Sequence, residues 1–213
     1  MYFYVFTINL NLDITMKNLN SLFTMAAFIF AVTFASAQDS DWRISFGLNA
    51  IDTYSTGAAS SLDDFGFEAG ALFEDFLVVN NWSVEPSITY GAVSKSIGDN
   101  FRVGVRASYN SITKLGGGET GGRIPTESLK FYNADATVSY TVLTGKKVEP
   151  YLESGVGYTQ IDGEGNAHLN FGAGATYWIG ETMGLTYSNT MKLSQESNVP
   201  KHWQHLLGLT FKL

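Results

Sequence analysis

From Trp42 onward the chain alternates apolar and polar residues in eight separate stretches. In residues 42–50, Trp42, Ile44, Phe46, Leu48 and Ala50 share one face, with Arg43, Ser45, Gly47 and Asn49 on the other. The same period of two recurs over 82–92, 101–109, 132–142, 148–158, 169–177, 183–191 and 203–213. In 82–92 it sets Trp82, Val84, Pro86, Ile88 and Tyr90 against Ser83, Glu85, Ser87 and Thr89. In 101–109 it sets Phe101, Val103 and Val105 against Arg102, Gly104 and Arg106. A period of two is that of a β-strand with unlike faces. Each stretch has about the 9–11 residues that a tilted strand needs to cross a bilayer.

The connections are of two kinds. Residues 93–100, 143–147 and 178–182 are short and carry Gly with charged or amide residues, the chemistry of tight turns. Between them fall two long connections, 51–81 and 110–131, and two of medium length, 159–168 and 192–202. Short turns alternating with longer loops predict an all-β, eight-stranded, antiparallel up-and-down barrel in a bacterial outer membrane. Both termini are then periplasmic and loop 51–81 is outside. Aromatic residues near the strand ends (Trp42, Trp82, Tyr90, Phe101, Tyr109, Tyr132, Tyr140, Tyr158, Tyr177 and Trp203) predict two interfacial girdles. A soluble barrel would alternate equally well with its apolar face inward. The alternate face here is rich in Gly, Ser and Thr, which suit a narrow lumen, so the apolar face is expected to point out.

The N-terminus supports export. Lys17, the apolar run Leu22–Phe34 and Ala35-Ser36-Ala37 have the order of a signal peptide, which predicts a mature chain from Gln38. Residues 16–37 are assigned to that signal, 38–213 to the barrel, and 1–15 to a mis-assigned start. No later run is long enough for a membrane helix, and a closed barrel is the other structure that satisfies its backbone in lipid. Charged residues are only 15% of the chain, against about 25% in a typical soluble domain. The absence of Cys removes disulfide stapling, and a net charge of −7 argues against nucleic acid as a partner.

The segments WRISFGLNAIDTY, EPSITYGAVSKSIGDNFRVGVRASYNSITKLG, FYNADATVSYTVL, VEPYLESGVGYTQIDGEG and KHWQHLLGLTFKL resemble the OmpA-like outer-membrane barrel family, in its eight-stranded N-terminal domain. The resemblance implies outer-membrane lipid and lipopolysaccharide as surroundings. It also implies recognition of the last strand (Leu209, Phe211, Leu213) by the barrel-insertion machinery, although the final residue is Leu where Phe is commonest. Larger members continue into a peptidoglycan-binding domain. The chain stops after the eighth stretch, so no cell-wall anchoring is inferred.

The polar face carries Arg43, Arg102, Arg106 and Lys212 against Glu85, Asp135, Glu149 and Glu153. An eight-stranded lumen is filled by side chains, and charges inside it should pair. These residues are therefore the candidate site, a luminal charge network that plugs the barrel; solvation at the barrel mouths is the alternative for several of them. No catalytic set is expected: His168, His202 and His205 fall near strand ends, and His205 has no Ser two residues away on its strand. His202 and His205 lack a third metal ligand, and no cofactor is expected. Gly116-Gly117-Gly118 and Gly121-Gly122 read as a flexible loop, and Asp63-Asp64 and Glu74-Asp75 as solvated acidic loop. The functional expectation is a non-enzymatic barrel serving envelope integrity or surface interaction. A small-solute porin and a lipid-modifying enzyme are the alternatives.

Overall fold

The structure, a computed structural model, describes residues 41–53, 78–116, 123–194 and 201–213. The signal segment, the start at 1–15, Asp63-Asp64, Glu74-Asp75 and the glycines from Gly117 to Gly122 lie outside the described residues. The strands are β1 (Trp42–Asp52), β2 (Ser83–Val84), β3 (Tyr90–Ser96), β4 (Phe101–Gly116), β5 (Arg123–Thr141), β6 (Val148–Ile161), β7 (Glu164–Trp178), β8 (Met183–Ser194) and β9 (His202–Lys212). Neighbours pair antiparallel in chain order. β1 and β9 close the sheet, from Arg43 opposite Lys212 to Asp52 opposite Trp203. Both β2 and β3 pair with β1, so together they make one stave of an eight-stave barrel.

The barrel is apolar outside and polar inside. Val105, Leu152 and Val156 are all more than half exposed, whereas Arg106, Asp135, Thr190 and Gln204 are buried. Exposed aromatics bracket the apolar belt: Phe101 lies opposite Tyr140 and Tyr109 opposite Tyr132, with Val105 and Ala136 midway. Eight residues separate the two girdles on β4, or about 27 Å along the strand and about 20 Å after a ~40° tilt. That height is close to an outer-membrane apolar band.

The structure corrects three sequence expectations. The second stretch does not run unbroken over 82–92. Ala50 pairs with Val84 and Gly47 with Tyr90. Three steps along β1 therefore oppose six along the second stave. Pro86, which has no N–H for the ladder, lies in this excursion. The odd difference reverses the facing of everything after it, so Tyr90 points into the lumen and is buried, and it is no girdle residue. Asn49 and Asn110 fill the break. The Asn49 side chain donates to the carbonyls of Thr89 and Tyr109, and that of Asn110 donates to those of Asn49 and Ser83.

Secondly, most of the expected loop 110–131 is strand, because β4 and β5 continue as a paired hairpin to Gly116 and Arg123 with a bulge between Ile112 and Lys114. Thirdly, the expected connection 159–168 is a two-residue turn between Ile161 and Glu164. Asp162 and Gly163 both have positive φ, 49° and 94°. Two successive left-handed residues give the hairpin turn whose twist matches the strands, and Asp-Gly is its favoured sequence. Gly163→Val forces a branched side chain into that conformation. We expect it to lower unfolding stability by about 1–2 kcal/mol, read in a urea titration of the refolded barrel.

Candidate functional site

The inward-facing side chains form layers along the lumen, beginning at the end that carries the short turns 97–100, 142–147 and 179–182. At that end Arg43 pairs with Glu149 at 2.9 Å, and Glu149 also accepts from the backbone N–H of Gly145 in the turn. Arg43 and Lys212, cross-strand neighbours, both stack on Trp178, at 4.9 and 3.9 Å from its ring centre. Arg102 donates to the hydroxyl of Ser96 and, at 2.7 Å, to the carbonyl of Asp41.

Next comes a belt of hydroxyls. Ser45, Thr210, Thr186 and Thr176 link in sequence across β1, β9, β8 and β7 at 2.7, 2.6 and 2.8 Å. Such small hydroxyl side chains line the bore while satisfying one another.

Above the belt lies the charge layer. Arg106 donates to Asp135 through Nε at 2.9 Å and to Glu153 through Nη1 at 3.0 Å. Lys192, wholly buried, donates to the same Asp135 oxygen. The amides of Asn133 and Asn170 complete the shell of Asp135 at 3.0 and 2.9 Å. Two cations and two carboxylates balance here. Gly157 is opposite Asp135, and a Cβ at that position would collide with the Asp135 carboxylate and the His168 ring. A glycine is therefore required for the network to close beneath it.

His168 extends the network: its Nε2 is 2.8 Å from Thr159 Oγ1 and its Nδ1 is 2.7 Å from Asn170 Oδ1. Hydroxyl, imidazole and amide stand in the order of a catalytic relay. Thr159 and Asn170 have no exposed surface, so the arrangement offers a substrate no approach and acts as packing. A final, apolar layer, Ile51, Ile112, Phe131 and Ile161, closes over it at the end remote from the short turns.

Of the eight sequence candidates, Arg106, Asp135 and Glu153 are brought together, and Arg43 and Glu149 form a separate pair. Arg102 and Lys212 line the turn end without an ion pair among the described residues. Glu85 falls in the excursion around Pro86, half-buried and accepting from the Ser111 hydroxyl, and takes no part in the network. Lys192, Asn133, Asn170 and Thr159 were not singled out by the sequence, and His168 was weighed there only as a catalytic residue. His202 and His205 are on opposite faces. His202 packs edge-on against Phe131 inside, whereas His205 stacks on Trp82 at 3.9 Å and lies 3.0 Å from the Tyr187 hydroxyl. They share no ion.

A family model described as "Putative MetA-pathway of phenol degradation" matches residues 74–198. No curated protein matches the sequence. Among solved structures, OprG from Pseudomonas aeruginosa is similar at 14% identity, over 82% of this chain and 96% of its own, with a TM-score of 0.53. Neisserial surface protein A is similar at 15% identity, over 82% and 98%, with a TM-score of 0.52. The fold is that of the eight-stranded outer-membrane barrels, to which the OmpA-like resemblance also pointed.

Proposed function

The chain belongs to the family described as "Putative MetA-pathway of phenol degradation", and from that premise we propose that it is a non-enzymatic outer-membrane barrel with a sealed bore. It serves the envelope through its lipid-facing wall and its outer loops. One observation carries this reading: the balanced layer of Arg106, Asp135, Glu153 and Lys192 is roofed by the apolar layer of Ile51, Ile112, Phe131 and Ile161. An ion crossing the bore would have to break several buried charge pairs and then leave its water behind. In this reading the termini are periplasmic, outer-membrane lipid and lipopolysaccharide surround the wall, and the insertion machinery takes hold of β9. The test is conductance of residues 38–213 refolded into a planar bilayer. Silence, or rare small openings, is expected; steady large openings sink the sealed bore.

A second reading, a small-solute porin for phenol-like aromatics, draws on the family description and on Arg102, a luminal cation with no carboxylate partner. Liposomes carrying the barrel would then admit phenol faster than empty ones. Equal rates count against it.

A further inference from the structure

The luminal charges do not balance at every level. In the charge layer Arg106 and Lys192 face Asp135 and Glu153, two against two. At the turn end Arg43, Arg102 and Lys212 face Glu149, already paired with Arg43, and the exposed Asp41 at the rim, three against two. Arg102 is 8% exposed, and its partners are neutral: the hydroxyls of Ser94 and Ser96 and the carbonyls of Ser94 and Asp41. The Asp41 residue is exposed at the rim and offers this guanidinium its carbonyl. Lys212 spends its charge on the face of Trp178. A buried cation whose hydrogen-bond partners are all neutral is costly, and the lowest-cost remedy is an anion in direct contact.

There is space for one. A cavity of about 90 Å³ lies between the turn-end cations and the charge layer, lined among others by Arg43, Arg102, Ser94, Ser45, Thr137 and Thr210. A single buried water needs roughly 10–15 Å³ on this measure, so the cavity holds several waters or one small polyatomic ion. Its wall supplies the guanidiniums of Arg43, Arg102 and Arg106 and a set of hydroxyls, against one carboxylate, Glu153, which is already paired with Arg106. A guanidinium fork and hydroxyls together suit the planar or tetrahedral array of acceptors on an oxyanion.

We propose that the turn end of the lumen is a binding site for a small oxyanion, a carboxylate or a phosphate, held by Arg102 with Arg43 and the hydroxyl wall. The site is a dead end. The charge layer and the apolar roof lie beyond it, so binding is independent of whether the barrel conducts.

The chain's arginines are Arg43, Arg102, Arg106 and Arg123, few enough for their side-chain N–H signals to be followed singly. Residues 38–213, refolded in an uncharged detergent with arginine labelled with nitrogen-15, are titrated with inorganic phosphate, acetate or chloride at constant ionic strength. A saturable shift of the Arg102 Nε–H signal with phosphate or acetate is expected, larger than that of Arg106, which borders the cavity but is already engaged by two carboxylates. Which of the two saturates identifies the tetrahedral or the planar class. In Arg102→Gln the Arg43 signal should report affinity about tenfold weaker, the loss of one charge-assisted contact. Lys212→Gln at the rim carries the same test if Arg102→Gln does not refold, with an expected loss of about threefold, as befits a partly screened charge. Linear, unsaturated shifts, movement of Arg123 in parallel, chloride saturating as tightly as the oxyanions, or variants that bind as well as the parent would each overturn the site.

Discussion

Asp135→Asn is expected to destabilise the barrel by about 3–5 kcal/mol, the usual cost of removing one partner from a buried ionic cluster. The side chain is inaccessible, and it receives Arg106 and Lys192 as well as two asparagine amides. The amide is nearly isosteric, so packing is kept and charge alone is lost. What remains is two buried cations sharing Glu153, and Lys192 has no exposed surface through which to recover water. The measurement is a urea titration of the refolded barrel, followed by tryptophan fluorescence and by its heat-modifiable gel mobility. Lys192→Met added to Asp135→Asn should recover a large part of the loss, because it removes the cation that the first change orphaned. Glu149→Gln is the internal contrast. Its partner Arg43 is near the mouth and partly exposed and can recover water, so a smaller cost of about 1–3 kcal/mol is expected. A cost below 1 kcal/mol for Asp135→Asn, or no recovery in the double variant, would mean that the cluster is solvated and does not plug the bore.

The members of this cluster show what the sequence could and could not convey. Arg106, Asp135 and Glu153 sit in mid-strand, where alternation is clean, and parity alone put them on the inner face. Lys192 and His168 obey the same parity on β8 and β7, but each lies one residue beyond the stretch over which alternation was visible. The periodic signal fades there because the inner face turns apolar: Ile51, Ile112, Phe131 and Ile161 all point inward just past the stretches at 42–50, 101–109, 132–142 and 148–158. Apolar residues on both faces erase a period of two, so strand ends read as loop. One local signal was present all the same. Asp162-Gly163 is the strongest short hairpin sequence, and giving it weight would have joined β6 to β7 directly. The excursion at Pro86 is different in kind. Proline warns of a break, but the number of extra residues, and with it the reversal that turns Tyr90 inward and leaves Glu85 out of the network, depends on how β1 pairs. That is set by tertiary contacts such as those of Asn49 and Asn110, which no local pattern encodes.

The second large effect concerns the outer face. Val105 is exposed, midway between Phe101 and Tyr109 on β4, and its neighbours across the strands are Val93 and Ala136. If this face meets hydrocarbon, Val105→Arg places a charge near the bilayer midplane and should cost about 2–4 kcal/mol of stability in lipid vesicles. Leu143→Arg, in the turn after β5 and equally exposed, should cost about 0–1 kcal/mol, because the side chain reaches the interface. In water the two substitutions would be alike, each within about 0.5 kcal/mol of the parent, since an exposed valine has no packing to lose. The measurement is reversible unfolding from vesicles, with folding yield as a second readout. The discriminating quantity is the difference between the two sites, which cancels any general effect of added positive charge on vesicle binding. A gradient from rim to midplane is a property of a lipid-facing wall. Equal costs at the two positions would instead require a soluble barrel, exposing to water an apolar belt that runs right round its wall.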